Sequence, residues 1–348
     1  MAYKEEKPNL LPRLKASIKE RKLERFYVFH GEEAFLRNHY LGQMKKILID
    51  DLTESFNYHK LTKENFSPDA FSDAVESLPM MAENTFVLVD DIDLFKLTED
   101  EREKMIDVFS DIPDYCTVVF AYEATLWKPD KRQQKLWKAI ETNAVIVEFA
   151  KQEQRDLINW VGRHFAANKK QIAPGLCSYL IDITVGTMTV LAGEITKICA
   201  FSDADTIVKS GIDAVVEPVL DAVVFDITDC LSQGRYDIAL KKMQDVLKKQ
   251  DEPLSVLGAI GTHFRRIGAA RILRDNGKTV TDLEQLCHIS NYAARRTMDA
   301  AKRFAPEFCA LAMELVMETD WGLKTSKDAP DRLMELLILQ LAQEARNG

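Results

Sequence analysis

Two pairs of adjacent carboxylates stand out, because each follows an apolar run with the length of a β-strand. Glu32-Glu33 follow the run at 26–30, and Asp90-Asp91 end a second run. Acidic side chains at the carboxyl end of a strand can hold Mg²⁺ beside bound phosphates. The second pair therefore resembles a Walker B element, and the question is whether a phosphate-binding turn accompanies it.

The turn after the first run lacks the residues that bind nucleotide phosphates. A phosphate loop has the form GxxxxGK[ST], in which backbone N–H groups and a lysine surround the phosphates. Here Gly31 is followed by Glu32 and Glu33, with no Lys-Ser/Thr pair at the required positions. These carboxylates would repel a phosphate, so we expect neither a nucleotide cofactor nor a metal. Asp90 and Asp91 are then predicted to be solvated or to cap the next helix.

The six cysteines and six histidines offer no alternative chemistry. No two cysteines have the CxxC spacing of a zinc or redox site, and no histidine accompanies them at a ligand spacing. GxSxG, HExxH and GxGxxG motifs are also missing from the sequence. We therefore predict no catalytic residue and interpret the cysteines as buried free thiols.

The elements that position these residues alternate between strand and helix over residues 1–150. Runs of strand length are separated by stretches with apolar residues at helical spacing, and Ser67 before Pro68 is typical of a helix N-cap. This order predicts an α/β domain with a mostly parallel sheet, covered by helices on both faces. The predicted strands are 26–30, 56–61, 85–90, 117–121 and 144–149, and the predicted helices are 34–49, a segment from Pro68, 98–109 and 131–141.

After residue 150 the pattern is helical to the C-terminus. Residues 151–210 predict a small helical lid without strands, and residues 211–348 predict an all-α domain, with Gly211 as the joint. The predicted helices are 152–167, 174–184, 187–201, 219–233, 235–249, 253–275, 280–288, 291–304, 306–321 and 330–346.

Composition and charge limit the classes of protein to which this sequence can belong. The 348 residues are 46% hydrophobic, which allows a large core, and no apolar run reaches the roughly 20 residues of a membrane span. With a polar first segment as well, a cytoplasmic protein is expected. The net charge of −9 argues against a protein that coats DNA. Residues 263–303 nevertheless contain nine basic and four acidic residues, which allows a local DNA contact.

Six short motifs, spread over the chain, carry a resemblance to a known family. They are YVFHGEEAFL at 27–36, VFDITD at 224–229, DEPL at 251–254, FRR at 264–266, DWGLKTS at 320–326 and DR at 331–332. In this order and spacing they resemble the delta-subunit family of the bacterial DNA polymerase III clamp loader. The resemblance implies an AAA+-like domain without a functional phosphate loop, then a helical lid and a helical collar domain for oligomerisation.

The resemblance also implies a role and partners. A delta subunit is not an enzyme by itself but belongs to a DNA polymerase (nucleotidyltransferase) holoenzyme, and it opens the sliding clamp, the beta subunit, in the nucleoid-associated replisome. Its implied partners are the clamp, the gamma/tau motor subunits, delta-prime and primer–template DNA. In this family two apolar residues at a helix end enter a pocket on the clamp.

Met80 and Met81, after Pro79, occupy the matching position. An unbranched methionine side chain adapts well to a partner's pocket. The sequence departs from the family at Met81, where an aromatic residue is often found. From the residues alone, packing of both methionines beneath the sheet is the alternative.

A second implied contact lies in the basic segment. The stretch NYAARR at 291–296 matches the part of the family in which an aromatic residue meets the template strand near the primer end. Tyr292 would stack on a base, and Arg295 and Arg296 would bind phosphates. A solvated basic helix face explains the same residues without DNA.

Two other functions stay open at this point. Residues 282–296 resemble a helix-turn-helix, with Ser290 capping a recognition helix, which would make the protein a DNA-binding regulator. A divergent AAA+ ATPase with an unusual phosphate loop would instead use Asp90 for hydrolysis. A regulator should prefer one duplex sequence, whereas an ATPase should hydrolyse ATP as an isolated chain.

Overall fold

A five-stranded parallel sheet forms the centre of the N-terminal part of the chain. The computed structural model describes residues 10–249, 252–289 and 291–347. The strands are β1 (Phe26–His30), β2 (Tyr58–Leu61), β3 (Thr85–Asp90), β4 (Cys116–Ala121) and β5 (Val145–Glu148). They pair in the order β2-β3-β4-β1-β5, and each neighbouring pair is parallel. The predicted α/β domain is confirmed.

Helices precede and connect these strands. They are α1 (Leu11–Glu20), α2 (Ala34–Leu48), α3 (Glu54–Asn57), α4 (Pro68–Glu76), a 3₁₀ turn (Leu94–Lys96), α5 (Glu99–Ser110) and α6 (Gln134–Asn143). Ser67 caps α4 by accepting a hydrogen bond from the N–H of Ala70 at 3.0 Å, as predicted. The strand predicted over 56–61 is wrong for its first two residues, because Phe56 and Asn57 end the short helix α3.

Both faces of the sheet are buried, as parallel strands require. In β1 the side chains of Phe26 and Val28 join one apolar cluster, whereas those of Tyr27 and Phe29 join the cluster on the other face. Phe26 stacks on Phe109 of α5 at a ring distance of 4.6 Å. The alternation in β1 therefore attaches helices to both faces of the sheet.

The chain divides into two compact units between Gln152 and Glu153, and the second is almost entirely helical. The lid was predicted without strands, but it contains a two-residue parallel pair, β6 (Gln171–Ile172) with β7 (Thr206–Ile207). The division into domains of residues 1–150, 151–210 and 211–348 stays a prediction. The helices are α7 (Gln154–Ala167), α8 (Pro174–Ile183), α9 (Met188–Phe201), α10 (Lys209–Asp213), α11 (Leu220–Ser232), α12 (Tyr236–Lys249), α13 (Pro253–Asp275), α14 (Val280–Cys287), α15 (Asn291–Ala300), α16 (Pro306–Thr325) and α17 (Pro330–Asn347).

Within the described ranges, no single helix has both the length and the apolar character to cross a membrane. Helices α8 and α9 reach that length only when taken together, and they are bent by 117° at their junction.

The core of the C-terminal helices contains one buried histidine. Phe264, Phe304 and Phe308 pack together, with the last two rings stacked at 4.8 Å. Next to them His263 is buried, meets the edge of Phe225 at 4.8 Å, and has an Nε2 atom without a hydrogen-bond partner. Burial lowers the pKa of His263 to about 3, and the neighbouring charges of Arg266 and Arg296 act in the same direction.

This histidine makes the stability of the protein depend on pH. The unfolded chain has the ordinary histidine pKa near 6.5 and binds a proton below it, whereas the folded chain does not until about pH 3. The free energy of unfolding should therefore fall as the pH drops below about 6.5, by about 2 kcal/mol from this group between pH 7 and pH 5. Urea unfolding of the wild type and His263→Leu at both pH values measures the difference. An identical pH dependence in the two proteins would contradict this assignment.

Candidate functional site

The turn between β1 and α2 is closed by the protein backbone. Gly31 has a φ of +116°, and a Cβ atom there would lie 2.4 Å from the carbonyl oxygen of Phe149. The N–H of Glu33 donates to that same oxygen at 2.9 Å, and the N–H of Phe149 donates to the carbonyl of His30 at 2.7 Å. In a phosphate loop, backbone N–H groups of this turn face the ligand. Here the end of β5 occupies that position.

The two aspartates after β3 have partners within the protein. Asp90 forms an ion pair with Lys60 at 2.7 Å. Asp91 accepts hydrogen bonds from the backbone N–H groups of Glu123 and Thr125, both at 2.8 Å. Burial alone would raise the pKa of Asp91, but these hydrogen bonds and one from Ala124 outweigh it and lower the pKa. Asp91 therefore caps the loop after β4 rather than the helix that follows its own strand.

Side chains of α2 and of the loop after β4 contact one another at the carboxyl edge of the sheet. Arg37 of α2 is buried, donates to the carbonyl of Tyr122 at 2.8 Å and forms an ion pair with Glu123. The ring of Trp127 lies 4.8 Å from that of Tyr122 and 6.2 Å from His30. Open α/β sheets usually bind ligands at this edge. In this protein an arginine and aromatic side chains lie at that edge.

The cysteines follow the sequence-based expectation in part. The six cysteines have free thiols; four are buried, and Cys199 and Cys287 are half-buried. In the part of the chain that the structure describes, no three His, Cys, Asp or Glu side chains are grouped so that they could hold a metal ion.

Met80 and Met81 lie in an exposed loop that joins α4 to β3. Helix α4 ends at Glu76, so the methionines follow the helix at a short distance instead of forming its end. The side chain of Met81 is 96% exposed and that of Met80 is 55% exposed. Met81 has a φ of +54°, which is unusual for a residue with a Cβ. Packing beneath the sheet is therefore wrong for Met81, and the loop presents apolar surface to solvent.

Tyr292 and Arg295 line a polar cleft in the second unit. The cleft has a volume of about 670 Å³ and lies among the first turns of α7 and α15 and parts of α8 and α14. Gln154 of α7 accepts a hydrogen bond from the N–H of Tyr292 at 3.3 Å and donates to Ser178 Oγ at 3.4 Å. The side chain of Arg295 is exposed. The structure thus brings these two predicted residues together.

Arg296 differs from its neighbour. Its guanidinium group lies over the ring of Phe225 at 3.8 Å and pairs with Asp226 at 3.5 Å. No ion pair joins Arg295 to any of the described residues. Arg296 therefore has a role inside the helical unit, whereas Arg295 has a charge available for a ligand.

Sequence reasoning missed the α7 side of this cleft. Arg155 and Asn159 of α7 line it together with Tyr292. Arg155, Asn159 and Arg163 follow one another at helical spacing on an exposed face of α7. That periodicity of polar residues could have revealed the face, but only the fold shows that it adjoins α15.

The helix-turn-helix interpretation corresponds to α14 and α15. His288 between them has a φ of +51°, and the predicted cap, Ser290, lies outside the described residues. A recognition helix presents its N-terminal residues to the major groove. Here the first turn of α15 instead contacts Gln154 of α7 through the N–H of Tyr292.

The fold and site define an α/β module, built on a five-stranded parallel sheet, that is joined to a helical unit. Two family models match it: DNA polymerase III, delta subunit, over residues 27–150, and the C-terminal domain of that subunit over residues 221–341. The chain belongs to the DNA polymerase III delta subunit family.

Two relatives agree with this assignment over nearly the full length. The DNA polymerase III subunit delta of Bacillus subtilis (strain 168) is 24% identical over 332 residues, which cover 93% of this chain and 95% of that protein. The solved structure of the Bacillus subtilis DNA clamp loader delta protein has a TM-score of 0.60 at 22% identity, covering 95% of this chain and 99% of that one. The structural likeness confirms the predicted fold.

Substitution of each aspartate in turn should show that Asp91, which caps a loop, contributes more to the free energy of unfolding than Asp90, which forms an exposed ion pair. Asp91→Ala leaves backbone N–H groups of the loop after β4 without an acceptor, and we expect the free energy of unfolding to fall by about 2 kcal/mol. Asp90→Ala removes a largely exposed pair and should cost less than about 1 kcal/mol. Chemical unfolding with and without Mg²⁺ measures both. Stabilisation of the wild type by Mg²⁺, lost in Asp91→Ala, would identify a metal site instead.

Proposed function

We propose that this chain is the non-catalytic delta subunit of a clamp loader, which binds and opens the sliding clamp so that it can be loaded on primed DNA. Membership of the delta family supports the clamp-loader role. The observation that carries the clamp contact is the exposed pair Met80 and Met81. Large apolar side chains presented on a loop are typical of a binding surface.

The proposed mechanism is mechanical. Met80 and Met81 enter an apolar pocket on the clamp, where each buried side chain can contribute about 1.5–3 kcal/mol. This energy is available to the α/β domain to strain one interface of the ring, which opens beside primed DNA. Because the contact needs apolar burial alone, the chain should bind the clamp without a nucleotide.

We propose that ATP hydrolysis belongs to the partners, the gamma/tau motor subunits, with delta-prime completing the complex. The Phe149 backbone at the Gly31 turn and the hydrogen bonds made by Asp91 support this division of labour. The chain would then act as part of the DNA polymerase holoenzyme in the cytoplasm, at the replisome. An active ATPase is not favoured, since Lys60 and the loop after β4 already engage the carboxylates that it would use.

The cleft beside α15 is the proposed contact with primer–template DNA. Tyr292 can stack on a template base and Arg295 can bind a phosphate, which requires no particular base sequence. A sequence-specific regulator is less well supported, because the first turn of α15 contacts α7.

Removal of the methionine pair tests the clamp contact. The double variant Met80→Ala, Met81→Ala should lose binding to the sliding clamp of the same organism, with thermal unfolding unchanged because both side chains are exposed. Surface plasmon resonance or a size-exclusion shift, with and without ATP, measures binding. Met317→Ala, which changes an exposed methionine of α16, is the matched control. Clamp affinity unchanged in the double variant would overturn the assignment of these residues.

Adjacent arginines should respond differently in a DNA-binding assay. In the reconstituted clamp loader, Arg295→Ala should weaken binding to primer–template DNA and reduce the salt slope of the affinity by about one. Tyr292→Ala should weaken binding by about tenfold, since stacking contributes about 1–3 kcal/mol per base. Arg296→Ala should mainly lower the unfolding temperature. Equal DNA affinity of the wild type and the Arg295 variant at several salt concentrations would contradict the phosphate contact.

A further inference from the structure

The exposed apolar residues of the first unit are concentrated in two short segments. Within the described residues of that unit, six large apolar side chains are exposed, and five of them lie at 52–56 or 78–81. Leu78 precedes the methionine pair. The sixth exposed residue, Leu126, is in the loop after β4. These five residues, which we call the two-segment surface, are Leu52, Phe56, Leu78, Met80 and Met81.

Asn57 joins the two segments directly. Its side-chain oxygen accepts a hydrogen bond from the N–H of Met80 at 2.7 Å, and its side-chain nitrogen donates to the carbonyl of Met80 at 2.9 Å. Asn57 itself is fully buried. One amide group thereby satisfies both backbone groups of Met80 and fixes this residue relative to α3.

The sheet explains why this contact forms. Strands β2 and β3 are parallel neighbours, with Tyr58 opposite Phe86. Asn57 directly precedes β2 and the methionine loop directly precedes β3, so both lie at the amino edge of the sheet. A groove of about 580 Å³ lies between residues 46–51 and residues 81–84. The end of α2 therefore also adjoins the methionine loop.

We propose that the two-segment surface is one docking face for the apolar groove of the sliding clamp, and that Asn57 is the residue that positions it. This inference rests on the proposed function, because it extends the methionine contact to a second segment. Leu52 and Phe56 lie within five residues of Asn57 in the sequence, and the hydrogen bonds of Asn57 to Met80 bring their segment next to the methionine loop. Exposed Asp50, Asp51 and Glu83 supply the polar rim that surrounds the apolar centre of a protein interface.

The first experiment removes the second segment and leaves both methionines intact. The variant Leu52→Ser, Phe56→Ser, made in the full chain, should bind the clamp about tenfold more weakly in surface plasmon resonance, which is typical for loss of interface anchors. Its thermal unfolding should match the wild type. Leu126→Ser is the matched control, because Leu126 is an exposed apolar residue of the same unit outside the surface. The control should retain wild-type affinity.

The second experiment tests positioning. Asn57→Asp keeps the shape of the side chain but removes the donor to the Met80 carbonyl, and we expect clamp affinity to fall by about tenfold. The new carboxylate oxygen would face and repel the carbonyl oxygen of Met80, which should separate the loop from residue 57. Amide hydrogen exchange at Met80 should therefore accelerate, whereas exchange in β1 and β4 should not. In a Met81→Ala background the same substitution should have a smaller effect, because a positioning residue acts through the residues it presents.

The outcomes separate the inference from the proposed function. If the wild type binds the clamp and the Leu52, Phe56 variant binds equally well, the second segment is not part of the surface, and the methionine contact still stands. Full additivity of Asn57→Asp and Met81→Ala would overturn positioning. Failure of the wild-type chain to bind the clamp would overturn both this inference and the proposed function.

Discussion

The hydrogen bonds that close the carboxyl edge of the parallel sheet determine what the rest of this domain can do. The carbonyl of Phe149 accepts from Glu33 in the turn after β1, and Asp91 holds the loop after β4. Arg37 links α2 to the same loop. In a nucleotide-binding relative, bound phosphates would order these turns; here protein groups do so.

The two-segment surface lies at the opposite edge of the sheet. Because the strands are parallel, the segments that precede β2 and β3 meet at the amino edge, where Asn57 connects them. The closely packed sheet lies between the two edges. Under our proposal the chain binds its partner by apolar burial at the amino edge and strains it there, which requires no chemistry at the carboxyl edge.

Sequence patterns predicted the elements where local signals and tertiary packing agree. The run at 26–30 became β1 with its predicted bounds, and Ser67 became the cap of α4. The helix α1 was not predicted, although Leu11, Leu14 and Ile18 stand at helical spacing. The pair β6 and β7 has two residues in each strand, too few for any periodicity. The contacts that organise the sites span 23 residues for Asn57 and Met80, and 138 for Gln154 and Tyr292, so local patterns could not reveal them.

Several basic residues that are close together in the sequence form ion pairs in the structure, and this matters for the proposed DNA contact. The basic segment at 263–303 suggests a positive patch. In the structure, however, aspartates of α11 neutralise three of its arginines: Asp221 pairs with Arg266, Asp226 with Arg296 and Asp229 with Arg303. The VFDITD motif that helped to indicate the family thus supplies two of these internal partners. Since phosphate binding depends on charges that are free to replace counterions, only a few residues such as Arg295 can contribute. The DNA contact that we propose for this chain would then depend on Tyr292 and Arg295, the two residues of the segment that line the cleft, more than on the net charge of the segment.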